Sequence, residues 1–179
     1  MSRKYALLVI DLQEFFRECT TEHMVAELNK TIKECRAKKI PVIFTHQGHR
    51  YLADQGETGE HWKHALPMIG DKSWQLLPEL DFDKQHDIVI DEKRRYCCFF
   101  GTPLESILRG LKVDSLIISG CLTNVCCETT ARSGVHARLQ SDVPQRRMRH
   151  DAALLNIGFA FGRVLTCQEL RDSVLSECQ

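Results

Sequence analysis

The sequence predicts a three-layer α/β/α fold, doubly wound around a mostly parallel central sheet. Runs of apolar residues without polar alternation indicate strands that are buried on both faces, and segments of helical periodicity separate these runs. The chain has 179 residues, of which 43% are hydrophobic and 27% charged, and this suits one domain with a complete core. We therefore expect residues 1–179 to form a single domain.

Four strands are predicted, and each of them ends close to polar residues. They cover residues 5–10, 41–45, 88–90 and 116–119, where apolar side chains are consecutive. Because open parallel sheets bind ligands beyond the carboxyl ends of their strands, the residues that follow these runs are the first candidates for a functional site.

Helices are predicted between the strands. Thr102 is expected to be the N-cap of one helix, with Pro103 in its first position and Glu105 closing a capping box. An earlier helix is indicated by apolar residues at helical spacing, namely Met24, Val25, Leu28, Ile32 and Cys35. Such helices would cover both faces of the sheet and complete the three predicted layers.

The cysteine content and the charge limit where the protein works and what it binds. The nine cysteines are odd in number and include no Cys-x-x-Cys pair, and no apolar signal opens the chain, so we expect free thiols in a reducing compartment, intracellular and cytoplasmic. No apolar stretch approaches the roughly 20 residues of a membrane span, so no membrane partner is expected. The formal net charge of +0 gives no general electrostatic case for a nucleic-acid partner, and none is expected.

Cys126 is the first candidate for a catalytic residue. It lies in the run from Gly120 to Arg132, where a buried strand passes into a helix, and unpaired backbone N–H groups and the helix dipole favour an anion at such a junction. We therefore expect a lowered thiol pKa and a thiolate nucleophile. Asp11 directly follows the first strand and Lys93 follows the third, so the topology would bring both to the same edge of the sheet.

Several stretches of the chain resemble the motifs of one enzyme family, the isochorismatase-like cysteine hydrolases, which include the nicotinamidases. Residues 9–13 (Val-Ile-Asp-Leu-Gln) resemble the motif that carries a catalytic aspartate, and residues 93–99 (Lys-Arg-Arg-Tyr-Cys-Cys-Phe) resemble the lysine motif. Residues 120–126 (Gly-Cys-Leu-Thr-Asn-Val-Cys) resemble the nucleophile motif, which residues 130–132 continue. Residues 150–166 resemble the last helix and strand, so the resemblance covers nearly the whole chain in order.

The resemblance implies a chemical role for each motif residue. Cys126 would attack a carbonyl to give a covalent intermediate, Asp11 would take the thiol proton and return it to the leaving group, and Lys93 would hold the aspartate and stabilise negative charge. A cis peptide between Cys121 and Leu122 is implied, with the backbone N–H groups of Leu122 and Cys126 as an oxyanion hole. The family often forms dimers or tetramers, so a homo-oligomer is expected, and no cofactor is expected.

The region after the second strand departs from the metal-binding members of the family. Nicotinamidases hold zinc or a similar ion through an Asp-x-His pair and further histidines, whereas Gln47 stands here in place of that aspartate. His49, His61 and His64 remain as candidate ligands of a three-histidine site, with surface histidines in a polar loop as the alternative. We expect no metal, and the missing aspartate counts against nicotinamide as the substrate.

Residues 133–149 also depart from the family pattern. Members of the family usually continue here through a glycine into a fifth apolar strand, but this segment holds few apolar residues and is rich in arginine. Residues 135–139 are the best candidate for that strand. The segment is therefore interpreted either as a distorted fifth strand or as a divergent insertion.

The leading functional hypothesis is a hydrolase that cleaves a non-peptide C–N bond, in an amide or a ureide, of a small molecule. Residues 46–73 form a long charged segment of the kind that covers binding sites, and Phe15, Trp62 and Tyr96 are pocket candidates, with core packing as the alternative for each. An isochorismatase-type vinyl ether hydrolase is one alternative, which Cys126 disfavours. A binding or regulatory member that has lost turnover is another, and a nucleic-acid-acting hydrolase is disfavoured by the zero net charge.

Overall fold

The four predicted strands form one parallel sheet in the computed structural model, which describes residues 3–136 and 148–176. The strands are β1 (Tyr5–Ile10), β2 (Val42–Gln47), β3 (Ile88–Lys93) and β4 (Ser115–Gly120), and their order across the sheet is β3-β2-β1-β4. The predicted strands are confirmed, although β3 is longer than expected and ends at Lys93 itself.

Helices lie between and after these strands. The α-helices are α1 (Glu22–Ala37), α2 (Gly56–His61), α3 (Leu104–Gly110), α4 (Glu128–His136), α5 (Met148–Ala160) and α6 (Cys167–Glu169). Short 3-10 helices cover Glu14–Cys19, Leu52–Gln55 and Lys72–Trp74, and π-helical turns cover Thr123–Cys127 and Leu170–Leu175. Within the described ranges, every helix is too short or too polar to cross a lipid bilayer.

Alternate side chains of the central strands supply two hydrophobic clusters, one on each face of the sheet. Leu7 and Val9 of β1 pack with α1 and with the turn at Leu170–Leu175 on one face. Leu8 and Ile10 pack with α3, α4 and α5 on the other face. Because β1 is buried on both faces, its sequence is a continuous apolar run, and the three layers confirm the predicted fold class.

The carboxyl ends of β1, β2 and β4 lie side by side, which positions the residues that follow them. Ile10 pairs with Thr45 of β2 and with Gly120 of β4. Gly120 has a φ of 126°, and a Cβ at this position would overlap the backbone of Ile10. Glycine therefore lets β4 end directly beside β1, so the segment that leads to Cys126 begins next to Asp11.

The start of α3 differs from its prediction. The helix begins at Leu104 with Pro103 as its N-cap, one residue later than predicted, although the Thr102 hydroxyl accepts the Leu104 N–H at 3.2 Å. Glu105 instead pairs with Arg109 along the helix at 2.6 Å. The predicted capping box is therefore wrong, because the carboxylate is used in an i,i+4 ion pair.

The atypical segment and the cysteines can be followed only in part. Residues 133–136 belong to α4, so the candidate fifth strand does not begin at residue 135, and its remainder, residues 137–139, lies outside the described residues. The cysteines within the described ranges are free thiols, as expected: Cys19, Cys35, Cys97, Cys98, Cys121, Cys126, Cys127 and Cys167.

Candidate active site

The ammonium group of Lys93 is the centre of a buried polar cluster at the carboxyl edge of the sheet. Its Nζ lies 2.6 Å from Oδ2 of Asp11, 3.0 Å from Oε1 of Gln47 and 3.4 Å from Sγ of Cys126. The side chains of Lys93 and Asp11 are both 0% exposed. An ammonium group has three N–H donors, so these three acceptors account for all of them. The residues predicted to be catalytic thus meet at one buried cation.

Asp11 is fixed at the end of β1 from two sides. Its φ of 51° is a left-handed conformation that aspartate tolerates better than most residues, and it turns the chain sharply after the strand. Thr45 of β2 donates its hydroxyl to Oδ1 of Asp11 at 2.6 Å, and the Asp11 N–H lies 3.2 Å from the same hydroxyl oxygen. One carboxylate oxygen is therefore held by Thr45 and the other by Lys93, which fixes the plane of the carboxyl group.

Cys126 lies in the π-helical turn Thr123–Cys127, which leads directly into α4. The carbonyl of Leu122 accepts the N–H groups of Val125 at 3.0 Å and of Cys127 at 3.2 Å, so the turn closes around that carbonyl. The peptide bond between Cys121 and Leu122 is cis, as the resemblance implied. The assignment of the Leu122 and Cys126 N–H groups as an oxyanion hole stays a prediction.

The charge of Lys93 persists in spite of its burial. Burial disfavours the ammonium, but the neighbouring carboxylate of Asp11 and the sulfur of Cys126 outweigh this cost. The pKa of Lys93 is therefore raised above its ordinary value. At neutral pH the cluster contains a fixed cation and, in Asp11, its counter-ion.

The lowered thiol pKa expected for Cys126 is wrong. Burial raises the pKa of this thiol, Lys93 opposes the rise, and the Asp11 carboxylate adds to it. The residue is only 4% exposed, so the lysine and the helix dipole do not compensate for the lost hydration of a thiolate. Cys126 is therefore a neutral thiol at rest, in hydrogen-bonding contact with Asp11, and a base must take its proton before it can act as a nucleophile.

Gln47 connects Lys93 to the end of β2. Its Oε1 accepts from Lys93, and its Nε2 lies 3.2 Å from Nε2 of His49. Gln13 holds the backbone of Gln47 at both polar groups, because its Oε1 accepts the Gln47 N–H at 2.8 Å and its Nε2 donates to the Gln47 carbonyl at 3.0 Å. These side chains are buried, so the polar cluster is fixed to the sheet by hydrogen bonds that water does not reach.

The three aromatic residues predicted to line a pocket form one group. Nε1 of Trp62 donates to the hydroxyl of Tyr96 at 2.9 Å, and the rings of Phe15 and Trp62 meet edge to face with centroids 6.4 Å apart. All three are half-buried. Phe15 follows Asp11 closely in sequence and Tyr96 follows Lys93, so this aromatic group grows from the same strand ends as the polar cluster. Its role as a pocket wall stays a prediction.

The three histidines named as candidate metal ligands do not form a group. His49 is buried and faces Gln47, whereas His61 and His64 are exposed at and just after the end of α2, and Nδ1 of His64 lies 3.3 Å from Oε1 of Gln55. In the part of the chain that the structure describes, no three His, Cys, Asp or Glu side chains are close enough together to hold a metal ion. The three-histidine candidate is therefore wrong, because two of its members are exposed at and after the end of α2 while His49 is buried.

Two contacts at the site are not evident from the sequence pattern. In the sequence, Thr45 is apparent only as a strand residue. It holds Asp11 because β2 pairs with β1 and sets Thr45 opposite Ile10, the residue before Asp11. Nδ1 of His150 in α5 lies 2.7 Å from Oγ1 of Thr123, in the turn that carries Cys126. No short-range signal in the sequence links α5 to that turn.

Known proteins that resemble this chain cover most of its length. A family model described as the isochorismatase domain matches residues 5–145. Nicotinamidase 3 of Arabidopsis thaliana is 31% identical over 180 residues, which cover 97% of this chain and 90% of that protein. Ureidoacrylate amidohydrolase RutB of Pseudomonas syringae pv. syringae is 30% identical over 195 residues, which cover 89% and 79%. The crystal structure of a cysteine hydrolase from Pseudomonas syringae pv. phaseolicola matches with a TM-score of 0.89 and 26% identity, over 97% of this chain and 93% of that one.

Proposed function

The chain belongs to the isochorismatase-like cysteine hydrolase superfamily, and we propose that it hydrolyses a non-peptide C–N bond of a small amide or ureide with Cys126 as the nucleophile. One observation carries this proposal: the ammonium of Lys93 contacts both Asp11 and Cys126 inside a buried cluster. The bond type is supported by two relatives that are named for hydrolysis of nicotinamide and of ureidoacrylate.

Asp11 is the base in the first step. As Sγ of Cys126 attacks the carbonyl carbon of the substrate, the thiol proton passes to the Asp11 carboxylate, with which the thiol is in hydrogen-bonding contact. The negative charge moves to the carbonyl oxygen, where the N–H groups of Leu122 and Cys126 would stabilise it by about 3–4 kcal/mol. Lys93 stays protonated throughout.

The same carboxyl group is the acid in the second step. Protonated Asp11 gives its proton to the leaving nitrogen, the C–N bond breaks, ammonia or an amine departs, and a thioester (from an amide) or a thiocarbamate (from a ureide) remains on Cys126. Water then attacks the carbonyl carbon of this intermediate while Asp11 takes one of its protons, and the departing sulfur recovers a proton from Asp11. The products are a carboxylic or carbamic acid and ammonia or an amine, and the cluster returns to its starting state.

A neutral resting thiol suits this sequence of proton transfers. At rest the cluster holds the Asp11 carboxylate, the Lys93 ammonium and an uncharged thiol, so its net charge is zero. After attack, Asp11 is neutral and the single negative charge lies on the substrate oxygen, so the sum with Lys93 is again zero. A free thiolate beside an ionised Asp11 would instead leave one uncompensated charge in a buried site, which is costly.

We assign the binding of the substrate's planar amide or ureide group to the aromatic group of Phe15, Trp62 and Tyr96. Flat, partly apolar surfaces of this kind pack against planar conjugated molecules, and the Trp62–Tyr96 hydrogen bond holds two of the rings in place. Trp62 and the turn that follows α2 form the cover of this pocket.

Ammonia release from nicotinamide and from ureidoacrylate, by wild type and by Cys126→Ala, is the direct test. Turnover of either compound by wild type and none by the variant supports the proposal. If folded wild type releases ammonia from neither these two nor a wider panel of primary amides and ureides, the binding or regulatory alternative becomes the better description.

Four further expectations remain predictions. They are a single domain over residues 1–179, a homo-oligomer, no nucleic-acid partner, and a reducing intracellular compartment. Light scattering after size-exclusion chromatography measures the molar mass against the 20.6 kDa of one chain, and a value of one chain mass would contradict the homo-oligomer.

A further inference from the structure

Gln47 is one of the three acceptors of the Lys93 ammonium. The other two acceptors, Asp11 and Cys126, exchange a proton in the proposed reaction, whereas an amide keeps its charge of zero throughout. An irregularity in the pairing of β2 with β3, between Thr45 and Gln47, sets Gln47 opposite Lys93 at the end of the two strands. The geometry thus gives Gln47 a fixed contact with Lys93 and no evident part in proton transfer.

The orientation of this amide follows from its partners. A lysine ammonium only donates hydrogen bonds, so the atom of Gln47 that faces Lys93 is the oxygen, and the NH₂ group faces His49. Nε2 of His49 must then accept, which places the proton of a neutral imidazole on Nδ1. Burial and the nearby Arg95 lower the pKa of His49, in agreement with a neutral ring. The amide is held at its backbone by Gln13 and at its side chain by His49.

We propose that Gln47 is a positioning residue that holds the Lys93 ammonium between Asp11 and Cys126 without adding charge to the cluster. This inference rests on the proposed function. A carboxylate in place of the amide would give the ammonium a second anion, draw it away from the sulfur and oppose negative charge on the substrate oxygen. An apolar side chain would leave one ammonium N–H buried without an acceptor.

Three variants separate positioning from packing. Gln47→Met keeps the side-chain length without the amide, and because a hydrogen bond to a charged group is lost, kcat is expected to fall about 10- to 100-fold with little change in KM. Gln47→Glu keeps the shape of the side chain but adds a charge, and its kcat is expected to fall further than that of Gln47→Met. Gln55→Met is the matched control, because Gln55 is also buried but contacts Leu66, Met68 and His64.

Alkylation of Cys126 by iodoacetamide gives a readout that needs no known substrate. Site-resolved mass spectrometry between pH 6 and pH 10 yields the pH dependence of the labelling rate of this thiol in wild type, Asp11→Asn and the three glutamine variants. Gln47→Met and Gln47→Glu are both expected to weaken the contact of the Lys93 ammonium with the sulfur of Cys126, which destabilises the thiolate. The labelling profile should therefore shift to higher pH, with labelling at least about fivefold slower at pH 8. Gln55→Met is expected to stay within about twofold of wild type.

The outcomes for the two proposals are separate. A wild-type profile for Gln47→Met or Gln47→Glu in folded protein, or an equal shift in Gln55→Met, overturns the positioning role. Labelling of Cys126 that is the same in Asp11→Asn and wild type counts against the proposed function, while the comparison of glutamine variants still reads the effect of Gln47 on the thiol. If Gln47→Met does not fold, Gln47→Glu decides the question, because it differs from glutamine by one group.

Discussion

The polar cluster around Lys93 and the aromatic group beside it grow from the same strand ends but are built differently. In the polar cluster, Asp11 and Lys93 are fully buried, and the strand pairings of β1, β2 and β3 fix their positions. In the aromatic group, the side chains are half-buried, and Trp62 reaches Tyr96 from the turn that follows α2. On the proposed function, the chemistry is built on paired strands, whereas recognition depends on a connecting segment. Substitutions in the polar cluster should therefore lower turnover and stability more than substitutions in the aromatic group do.

Two adjacent cysteines give the largest expected contrast. Cys126→Ala is expected to lower turnover at least about a thousandfold, because it removes the nucleophile. Cys127 is 0% exposed and packs in the hydrophobic cluster behind the turn, so Cys127→Ala should keep turnover within about threefold and lose about 1 kcal/mol of stability. Initial rates and urea unfolding of both variants measure this difference. Turnover retained in Cys126→Ala would remove the covalent mechanism.

The buried ion pair should dominate the stability of the cluster. Lys93→Met leaves the Asp11 carboxylate without its cation in a dry site, which is expected to lower the free energy of unfolding by about 3–5 kcal/mol. The double variant Asp11→Asn/Lys93→Met removes both charges and should recover most of that loss in stability, although no turnover is expected from any of these variants. Urea denaturation of the two single variants and the double variant forms a thermodynamic cycle. Additive losses would mean that the two charges do not interact as the structure indicates.

Alkaline pH should also lower the free energy of unfolding, because several cysteine thiols are buried. Burial raises the pKa of Cys98 to about 12 and that of Cys121 to about 12, and it raises the pKa of Cys127 as well. With a raised pKa the folded chain keeps protons that the unfolded chain releases. The contribution of these thiols to the free energy of unfolding is therefore at its full value below about pH 8.5. Above that pH it falls by about 1.4 kcal/mol per pH unit for each such thiol. Urea unfolding between pH 7 and pH 10.5 measures the slope, which Cys127→Ala should make shallower; an unchanged slope in this variant would contradict the assignment.

The strands and the meeting of Asp11 and Cys126 with Lys93 were predictable from the sequence, because apolar runs mark strands buried on both faces and parallel strands share one carboxyl edge. The contact between Gln47 and Lys93 was not predictable in this way. It depends on β3 continuing to Lys93, beyond its apolar part, and on the pairing irregularity after Thr45. The thiol pKa of Cys126 was predicted in the wrong direction, because a motif indicates the neighbouring charges and the helix end but not how completely the site excludes water.

The smallest predicted effect belongs to the aromatic group. Trp62→Phe and Tyr96→Phe each remove the hydrogen bond between Nε1 and the Tyr96 hydroxyl, which should loosen the pocket wall and raise KM about three- to tenfold, with kcat within about twofold of wild type. Because that bond can be lost only once, the double variant should be no worse than either single one. Phe159→Leu, which removes a ring that is 92% exposed on α5, controls for the loss of an aromatic side chain.

Steady-state kinetics on the best substrate of the ammonia-release panel separates the possible results. Additive increases in KM would show that each ring contacts the substrate independently, so the hydrogen bond would not be the feature that matters. A drop in kcat comparable to that of Gln47→Met would show that the aromatic group aligns the scissile bond with Cys126. In that case the division between a rigid chemical cluster and an adaptable recognition segment would fail, because the turn after α2 would be as strictly constrained as the strand ends.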